Sequence, residues 1–287
     1  MAERLEPSPE LQAHIDRVLR VKMPTGARIA LAAAIMRKWF KPSFVGLERL
    51  PSKPALFVGN HSLLAMDAFA FHTLLSYDYG RFLRPLGDRT LFENPQYADT
   101  VISMGAAVGQ PVVVEALMAG GHDLLLYPGG TYEAVKPPEQ RYELLWQHRY
   151  GFIRLAAKMG YTIVPFASVG PDEYYDQYLT GPEVQQAQLT QIMIKLGLLP
   201  ADMRSDLVPP LPAGVLGSFL PKPKTTFYGF CQPMDLSSYA GKEPTKRQQH
   251  ALRAKVEEAI DHEIKNLLLL RERSRHKDGL LRRLLSV

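Results

Sequence analysis

The chain has 287 residues, of which 46% are hydrophobic and 22% are charged. These values are typical of a folded globular protein that buries a substantial core, and they exclude an intrinsically disordered chain. The formal net charge is +5, a modest excess that suits an anionic membrane surface, a phosphate-bearing co-substrate or nucleic acid. Cys231 is the single cysteine, which excludes an internal disulfide and a metal site built on paired cysteines.

Two amphipathic helices are predicted in the first part of the chain. Apolar residues recur at helical spacing between Leu11 and Leu19, and a second helical stretch covers Ala27–Phe40, with an aliphatic centre and basic flanks. This pattern is typical of helices that lie in a membrane interface, so residues 1–42 are assigned to a membrane-associating segment. The alternative is a pair of ordinary helices packed on their own domain. No stretch reaches the roughly 18 apolar residues of a spanning helix, and we expect no transmembrane segment.

From Pro42 onward the pattern changes to short strands that alternate with helices. Strands are predicted at Phe44–Leu50, Ala55–Val58, Arg81–Leu86, Asp123–Tyr127, Thr162–Ala167 and Thr225–Phe230. Helices are predicted over Met66–Ser76, Val112–Ala119 and Tyr150–Met159. This alternation predicts an α/β fold with a largely parallel central sheet flanked by helices, in a domain that covers residues 43–240.

The last part of the chain, residues 241–287, is predicted to be a basic C-terminal helix. Lys246–Ser274 has the composition of one long charged helix, with a length of about 40 Å at 1.5 Å per residue. A solvated charged face is the usual role of such a helix, and membrane contact is the alternative.

The first candidate catalytic motif follows the strand Ala55–Val58. Gly59 and Asn60 end this strand, so His61 falls where a strand gives way to a loop, which is where α/β sheets bind ligands. Asp67 follows six positions later, near the start of the next helix. A carboxylate folded back onto one imidazole nitrogen fixes the tautomer and leaves the other nitrogen free to accept a proton. The alternative is that His61 only ends a strand and Asp67 only caps a helix.

The second motif follows the strand Asp123–Tyr127 and reads Pro128-Gly-Gly-Thr-Tyr-Glu133. Proline ends the strand, and the two glycines allow the backbone to approach a substrate closely and to direct its amides into a site. On its own this motif indicates only a turn.

Taken together, the two motifs resemble the glycerolipid acyltransferase family, in which four residues separate a histidine from an aspartate and a Phe-Pro-Glu-Gly-Thr block follows later in the chain. Here five residues separate His61 from Asp67, and Gly129 replaces the glutamate. In both features the sequence resembles the branch of monoacylglycerol and diacylglycerol acyltransferases. Members of that branch have a glutamate shortly after the two glycines, and Glu133 matches it. Ile163-Val-Pro165 resembles a further block of the family, and the likeness covers about Phe44 to Ser168.

The resemblance implies transfer of a fatty acyl group from a thioester, acyl-CoA or acyl carrier protein, to the hydroxyl of a lipid alcohol. His61 is then the general base and Asp67 the residue that orients it. The substrate-binding residues implied are Asn60, Gly129, Gly130, Thr131 and Glu133. No metal and no cofactor other than the acyl-CoA or carrier-protein co-substrate is expected. We also expect a peripheral protein at the cytoplasmic face of a membrane, with no nucleic acid among its partners.

The acceptor is predicted to be a neutral glycerolipid. Phosphate-accepting members of the family place an arginine after a glycine-rich turn, and the corresponding stretch here, Gly105–Pro111, has none. A dianionic acceptor would lose a strong charge-assisted contact without that arginine. An enzyme of the lysophosphatidic acid type, with a phosphorylated acceptor, is the alternative. Five basic residues near the motifs are candidates for the donor's phosphates: Arg81, Arg84, Arg89, Lys136 and Arg141.

Two other classes of function compete with an acyltransferase. A serine esterase needs an activated nucleophile, usually in Gly-x-Ser-x-Gly, which does not occur in this sequence. A non-catalytic lipid- or membrane-binding protein would keep the fold and the basic helices but would not need His61. Nucleic-acid binding is disfavoured because the basic residues are dispersed and form no known module.

Overall fold

A computed structural model describes residues 7–179, 181–186, 210–274 and 279–286. Among these residues, seven strands form one sheet with the order β1-β9-β6-β2-β5-β3-β4. The strands are β1 (Ser43–Val45), β2 (Ala55–Val58), β3 (Leu83–Gly87), β4 (Ala107–Val108), β5 (Asp123–Leu126), β6 (Thr162–Val169) and β9 (Phe227–Phe230). A separate two-stranded antiparallel sheet pairs β7 (Asp176–Leu179) with β8 (Leu211–Ala213).

Five neighbouring strands of the sheet, from β6 to β4, run parallel to one another. Only β9 and β1 run the other way, since β9 is antiparallel to β6 and parallel to β1. Val58, the last residue of the central strand β2, pairs with Leu126 on one side and with Pro165 on the other. The predicted α/β fold with a largely parallel central sheet is therefore confirmed.

The helices of the described residues are α1 (Pro9–Arg20), α2 (Ala27–Phe40), α3 (Met66–Tyr79), α4 (Pro95–Ser103), α5 (Pro111–Ala119), α6 (Gly130–Ala134), α7 (Gly151–Lys158), α8 (Gly181–Gln186), α9 (Lys246–Ser274) and α10 (Leu280–Leu285). They cover both faces of the sheet. Leu56 and Val58 of β2 face the core formed with α1, α5, α7 and α9. Ala55 and Phe57 face the opposite core, where Phe71 of α3 packs. The central strand is thus buried on both faces, as its uninterrupted apolar sequence predicts.

The predicted strand Phe44–Leu50 is wrong beyond its first residues. The strand ends at Val45, and Gly46 adopts a left-handed conformation with φ of 79°. A Cβ atom at Gly46 would come within 2.7 Å of the Phe230 carbonyl oxygen, so the turn requires glycine. The chain then continues as a short 3-10 helix at Leu47–Arg49.

Both ends of the chain share the core of the central sheet. Ile15 and Val18 of α1 are buried in the same cluster as Ile260 and Ile264 of α9. The long C-terminal helix predicted at Lys246–Ser274 has those bounds, and it packs on β6 and β9 with its apolar side. Basic residues of this helix such as Lys255 and Lys265 are exposed.

The second helix, α2, packs against α3 and contributes Ala33, Met36 and Phe40 to a buried cluster with Leu74. Leu31 and Ile35 of the same helix are exposed, whereas Trp39 packs against the cluster. None of the helices in the described part of the chain has the length and hydropathy needed to span a bilayer.

Candidate active site

His61 lies at the carboxyl edge of the sheet, three residues after the end of β2. Gly59 leads into this loop, and its amide donates to the Leu126 carbonyl at 3.3 Å. A Cβ atom at Gly59 would come within 2.4 Å of the Phe166 ring, so only glycine fits between the strand and that ring. The loop therefore leaves the sheet beside the end of β5, where the second motif begins.

Asn60 is buried and joins the end of β2 to β6. Its side-chain amide donates to the Ser168 carbonyl at 2.9 Å, and its carbonyl oxygen accepts from the Ser168 amide at 2.7 Å. Both ends of the side chain therefore hold the loop against β6, and the contact of Asn60 with substrate stays a prediction.

His61 and Asp67 form a hydrogen-bonded pair. The Nδ1 atom of His61 lies 3.0 Å from Oδ2 of Asp67, which also accepts from the amide of Ser62 at 3.1 Å. Asp67 is the second residue of α3 and its side chain is fully buried. The intervening loop returns through Leu64 and Ala65, which both adopt left-handed conformations, with φ of 60° and 53°. Such strained backbone is typical of functional sites.

The hydrogen bond to Asp67 assigns the proton of His61 to Nδ1 and leaves Nε2 as an acceptor. Burial acts to lower the pKa of the imidazole, but the charge and hydrogen bond of Asp67 outweigh it, so the pKa of His61 is raised above its ordinary value of 6.5. The ring retains 12% exposure and stacks on Tyr127 at 4.3 Å between centroids. This arrangement suits a general base that meets its substrate at the surface.

The glycine turn of the second motif lies beside this pair, at the end of the neighbouring strand. The amide of Gly130 donates to the Tyr127 carbonyl at 2.9 Å, so this amide is not available to a substrate oxyanion. Thr131 is exposed at the start of α6. Its contact with substrate, like that of the backbone at Gly129, stays a prediction.

Glu133 points inward from the turn. Its carboxylate is fully buried and accepts from the amides of His61 at 2.7 Å and Leu145 at 3.3 Å. Burial raises the pKa of this carboxyl to about 7, against the opposing effect of Lys136. Glu133 therefore contacts the main chain of His61, and its contact with acceptor hydroxyls stays a prediction.

Four of the five basic residues predicted for the donor's phosphates have other contacts. Lys136 is buried and pairs with Asp172, and Arg81 and Arg141 form ion pairs with Asp123 and Asp176. Arg84 is buried and donates to the Val21 carbonyl. Arg89 is exposed just beyond β3, at the same edge of the sheet as His61.

Two contacts of His61 were not predicted from the sequence: the stacking of Tyr127 on its ring and the hydrogen bond from Lys136 to its carbonyl oxygen. Tyr127 ends the strand next to β2, so the rule that places ligands at carboxyl ends of parallel strands was a usable signal for it. The contact of Lys136 with His61 depends on residues 75 positions apart, and no local pattern in the sequence carries it.

Several known proteins are similar to this chain. Residues 41–169 match the family model described as Acyltransferase. Over 136 residues the chain is 37% identical to a protein of Arabidopsis thaliana named phytyl ester synthase 2, chloroplastic, which covers 44% of this chain and 19% of that protein. Over 128 residues it is 28% identical to a protein of Homo sapiens named DGAT1/2-independent enzyme synthesizing storage lipids, covering 44% and 39%.

The chain thus spans well under half the length of these two relatives. Among solved structures, the 1-acyl-sn-glycerophosphate (LPA) acyltransferase PlsC from Thermotoga maritima matches with a TM-score of 0.47 and 14% identity, over 89% of this chain and 87% of that one.

Proposed function

We propose that this chain, in which residues 41–169 match the family model described as Acyltransferase, transfers a fatty acyl group from an acyl thioester to the hydroxyl of a lipid alcohol. The observation that carries the proposal is the His61–Asp67 pair, with its Nδ1–Oδ2 distance of 3.0 Å, at the carboxyl edge of the sheet. The donor is acyl-CoA or an acyl carrier protein, and the acceptor is an uncharged lipid alcohol.

The proposed reaction is a direct transfer. Nε2 of His61 takes the proton of the acceptor hydroxyl as its oxygen bonds to the thioester carbonyl carbon. The tetrahedral intermediate then collapses, the carbon–sulfur bond breaks, and the imidazolium returns the proton to the departing thiolate. Asp67 orients the ring and stabilises its charged form, and no covalent enzyme intermediate is needed.

An uncharged acceptor is supported by the stretch Gly105–Pro111, which has no arginine. The names of the two relatives, which refer to phytyl esters and storage lipids, point to the same class of acceptor. An esterase is disfavoured because Ser62, the serine next to the histidine, is buried. Its amide, rather than its hydroxyl, contacts Asp67.

The proposal is tested by incubating the purified protein with one acyl-CoA and a panel of acceptors, and by measuring release of free thiol. We expect rapid release with monoacylglycerols or long-chain alcohols and slower release with their phosphorylated counterparts. Equal or faster release with the phosphorylated acceptors would contradict an uncharged acceptor and indicate an acyltransferase of the lysophosphatidic acid type. Thiol release that does not depend on any acceptor would indicate a thioesterase instead.

We further propose that the acceptor is reached from a membrane surface. Six exposed apolar residues, which we call the apolar rim, support this: Leu31, Ile35, Leu64, Leu216, Phe219 and Leu220. The indole of Trp39 at the end of α2 donates to the Pro221 carbonyl at 2.8 Å, so the loop with the last three of them lies against α2. Leu63 of the catalytic loop packs on the same cluster as α2. The rim therefore lies on the side of the molecule that carries His61.

Replacing Leu216 and Phe219 with aspartate is expected to weaken binding to lipid vesicles. These side chains are 91% and 71% exposed, so the change should leave the fold intact. Loss of two apolar side chains from the bilayer should lower the partition coefficient by about tenfold or more. The measurement is sedimentation with vesicles that contain anionic lipid. Leu269→Asp is the matched control, because Leu269 is 62% exposed on α9. Equal loss of binding in the control would contradict the proposed surface.

A further inference from the structure

Two buried side chains, Glu133 and Lys136, contact the main chain of His61, and Asp172 pairs with Lys136. We propose that Lys136 is a positioning residue for the acyl transfer, which holds the peptide of His61 so that its imidazole is presented in one orientation. This inference deepens the proposed function and rests on it.

The main chain of His61 is held from both sides by one turn of chain. Its amide donates to Oε1 of Glu133 at 2.7 Å, and its carbonyl oxygen accepts from Nζ of Lys136 at 2.7 Å. Glu133 and Lys136 are three positions apart, and the Lys136 amide donates to the Glu133 carbonyl at 3.2 Å. Both groups therefore belong to the same turn, and a shift of this turn displaces the histidine with it.

Asp172 holds the lysine in place. Its carboxylate lies 2.9 Å from Nζ of Lys136, and the two side chains are only 2% and 4% exposed. The same carboxylate accepts from the Tyr142 amide at 2.6 Å. A buried ion pair contributes little net stability, because the cost of removing two charges from water offsets their attraction. A geometric role at His61 explains what this pair contributes here.

The glycine turn makes room for this arrangement. A Cβ atom at Gly129 would lie 2.1 Å from Oε2 of Glu133 and 2.3 Å from its Cβ atom. Any side chain at position 129 would therefore push the Glu133 carboxylate away from the His61 amide. The second motif thus acts on the histidine through Glu133, which explains why glycine and glutamate occur together in it.

The charges around the imidazole determine how the pKa of His61 changes when Lys136 is replaced. Asp67 on α3 and Glu133 raise the pKa of His61, while Lys136 lowers it. Tyr127, the residue after β5, stacks on the ring and is neutral, since burial raises its own pKa well above its ordinary value. Removing the charge of Lys136 therefore raises the pKa of His61, and the acidic limb of the activity profile moves to higher pH.

The test uses two variants, Lys136→Met and Lys136→Met/Asp172→Asn. The second leaves no unpaired buried charge, so it keeps the test open if the first does not fold. The assay is transfer from a medium-chain acyl-CoA to a monoacylglycerol across a range of pH. We expect kcat to fall by about tenfold to a hundredfold with KM unchanged, as for a misplaced catalytic group. The pKa of His61, followed by NMR in the absence of substrate, should rise.

Lys222→Met is the matched control, because Lys222 is a buried lysine that pairs with Asp176 and does not contact His61. A folded Lys136 variant with native kcat overturns the inference. So does a fall in kcat with an unchanged His61 titration, since general loosening of the fold would explain it. If the native protein transfers no acyl group, the proposed function fails, and the NMR titration alone decides whether Lys136 acts on His61.

Discussion

Replacing His61 with alanine is expected to lower kcat/KM for acyl transfer by about 100- to 10,000-fold, the usual contribution of a general base. The loss follows from the removal of Nε2, the ring nitrogen that the hydrogen bond from Nδ1 to Asp67 leaves as a proton acceptor. The free energy of unfolding should change little, because Glu133 and Lys136 contact the main chain of residue 61 and keep those contacts in the variant.

The measurement is thiol release with a saturating acceptor, accompanied by urea unfolding of both proteins. His262→Ala serves as the control, since His262 is exposed on α9. A His61→Ala protein that folds normally and retains native activity would contradict the catalytic assignment, and would leave a lipid-binding protein as the better account.

Replacing Asp67 with asparagine is expected to lower kcat by about 100-fold or more, because the imidazolium formed in the reaction loses its buried counter-charge. The acidic limb of the kcat/KM profile should also move to lower pH. Asp67 raises the pKa of His61, so its neutral replacement lowers that pKa. A larger fraction of the ring is then unprotonated in acid.

At low pH the lower kcat decreases the activity of the variant, whereas the lower pKa of His61 increases it, so the two effects can be separated. The relative activity of Asp67→Asn against the native protein should improve as pH falls, although it stays below one. The control is Asp261→Asn, where the carboxylate lies on α9 and pairs with Lys265. A uniform loss of activity at every pH would indicate that Asp67 acts only on the fold of the loop.

Elements with strong local signals were predictable from the sequence. Ala55–Val58 and Ala27–Phe40 have the predicted bounds, because an uninterrupted apolar run and a helical period leave little choice of structure. Helix α4 at Pro95–Ser103 was not predicted, although Asn94 caps it and Pro95 occupies its first turn. This asparagine–proline start is a recognised signal for a helix.

The proximity of His61 and Asp67 was also predictable, because Asp67 follows only six positions after His61. The residues that support them were not. Asn60 binds Ser168, which lies 108 positions away, and Glu133 reaches back 72 positions to His61. Both polar side chains look like surface or substrate groups in the sequence, and only the order of the strands brings them under the loop. Sequence patterns therefore identified the His61–Asp67 pair, whereas the contacts that hold its loop in place follow only from the fold.

Whether His61 is the general base is tested by comparing two titrations of the native protein. One is the pH dependence of kcat/KM for acyl transfer, and the other is the protonation of the His61 ring followed by NMR. If His61 is the general base, the acidic limb of the activity profile and the titration of the ring should have the same pKa, above the ordinary 6.5 of histidine. A ring that titrates at or below that value, or an activity profile that ignores its titration, would contradict His61 as the base.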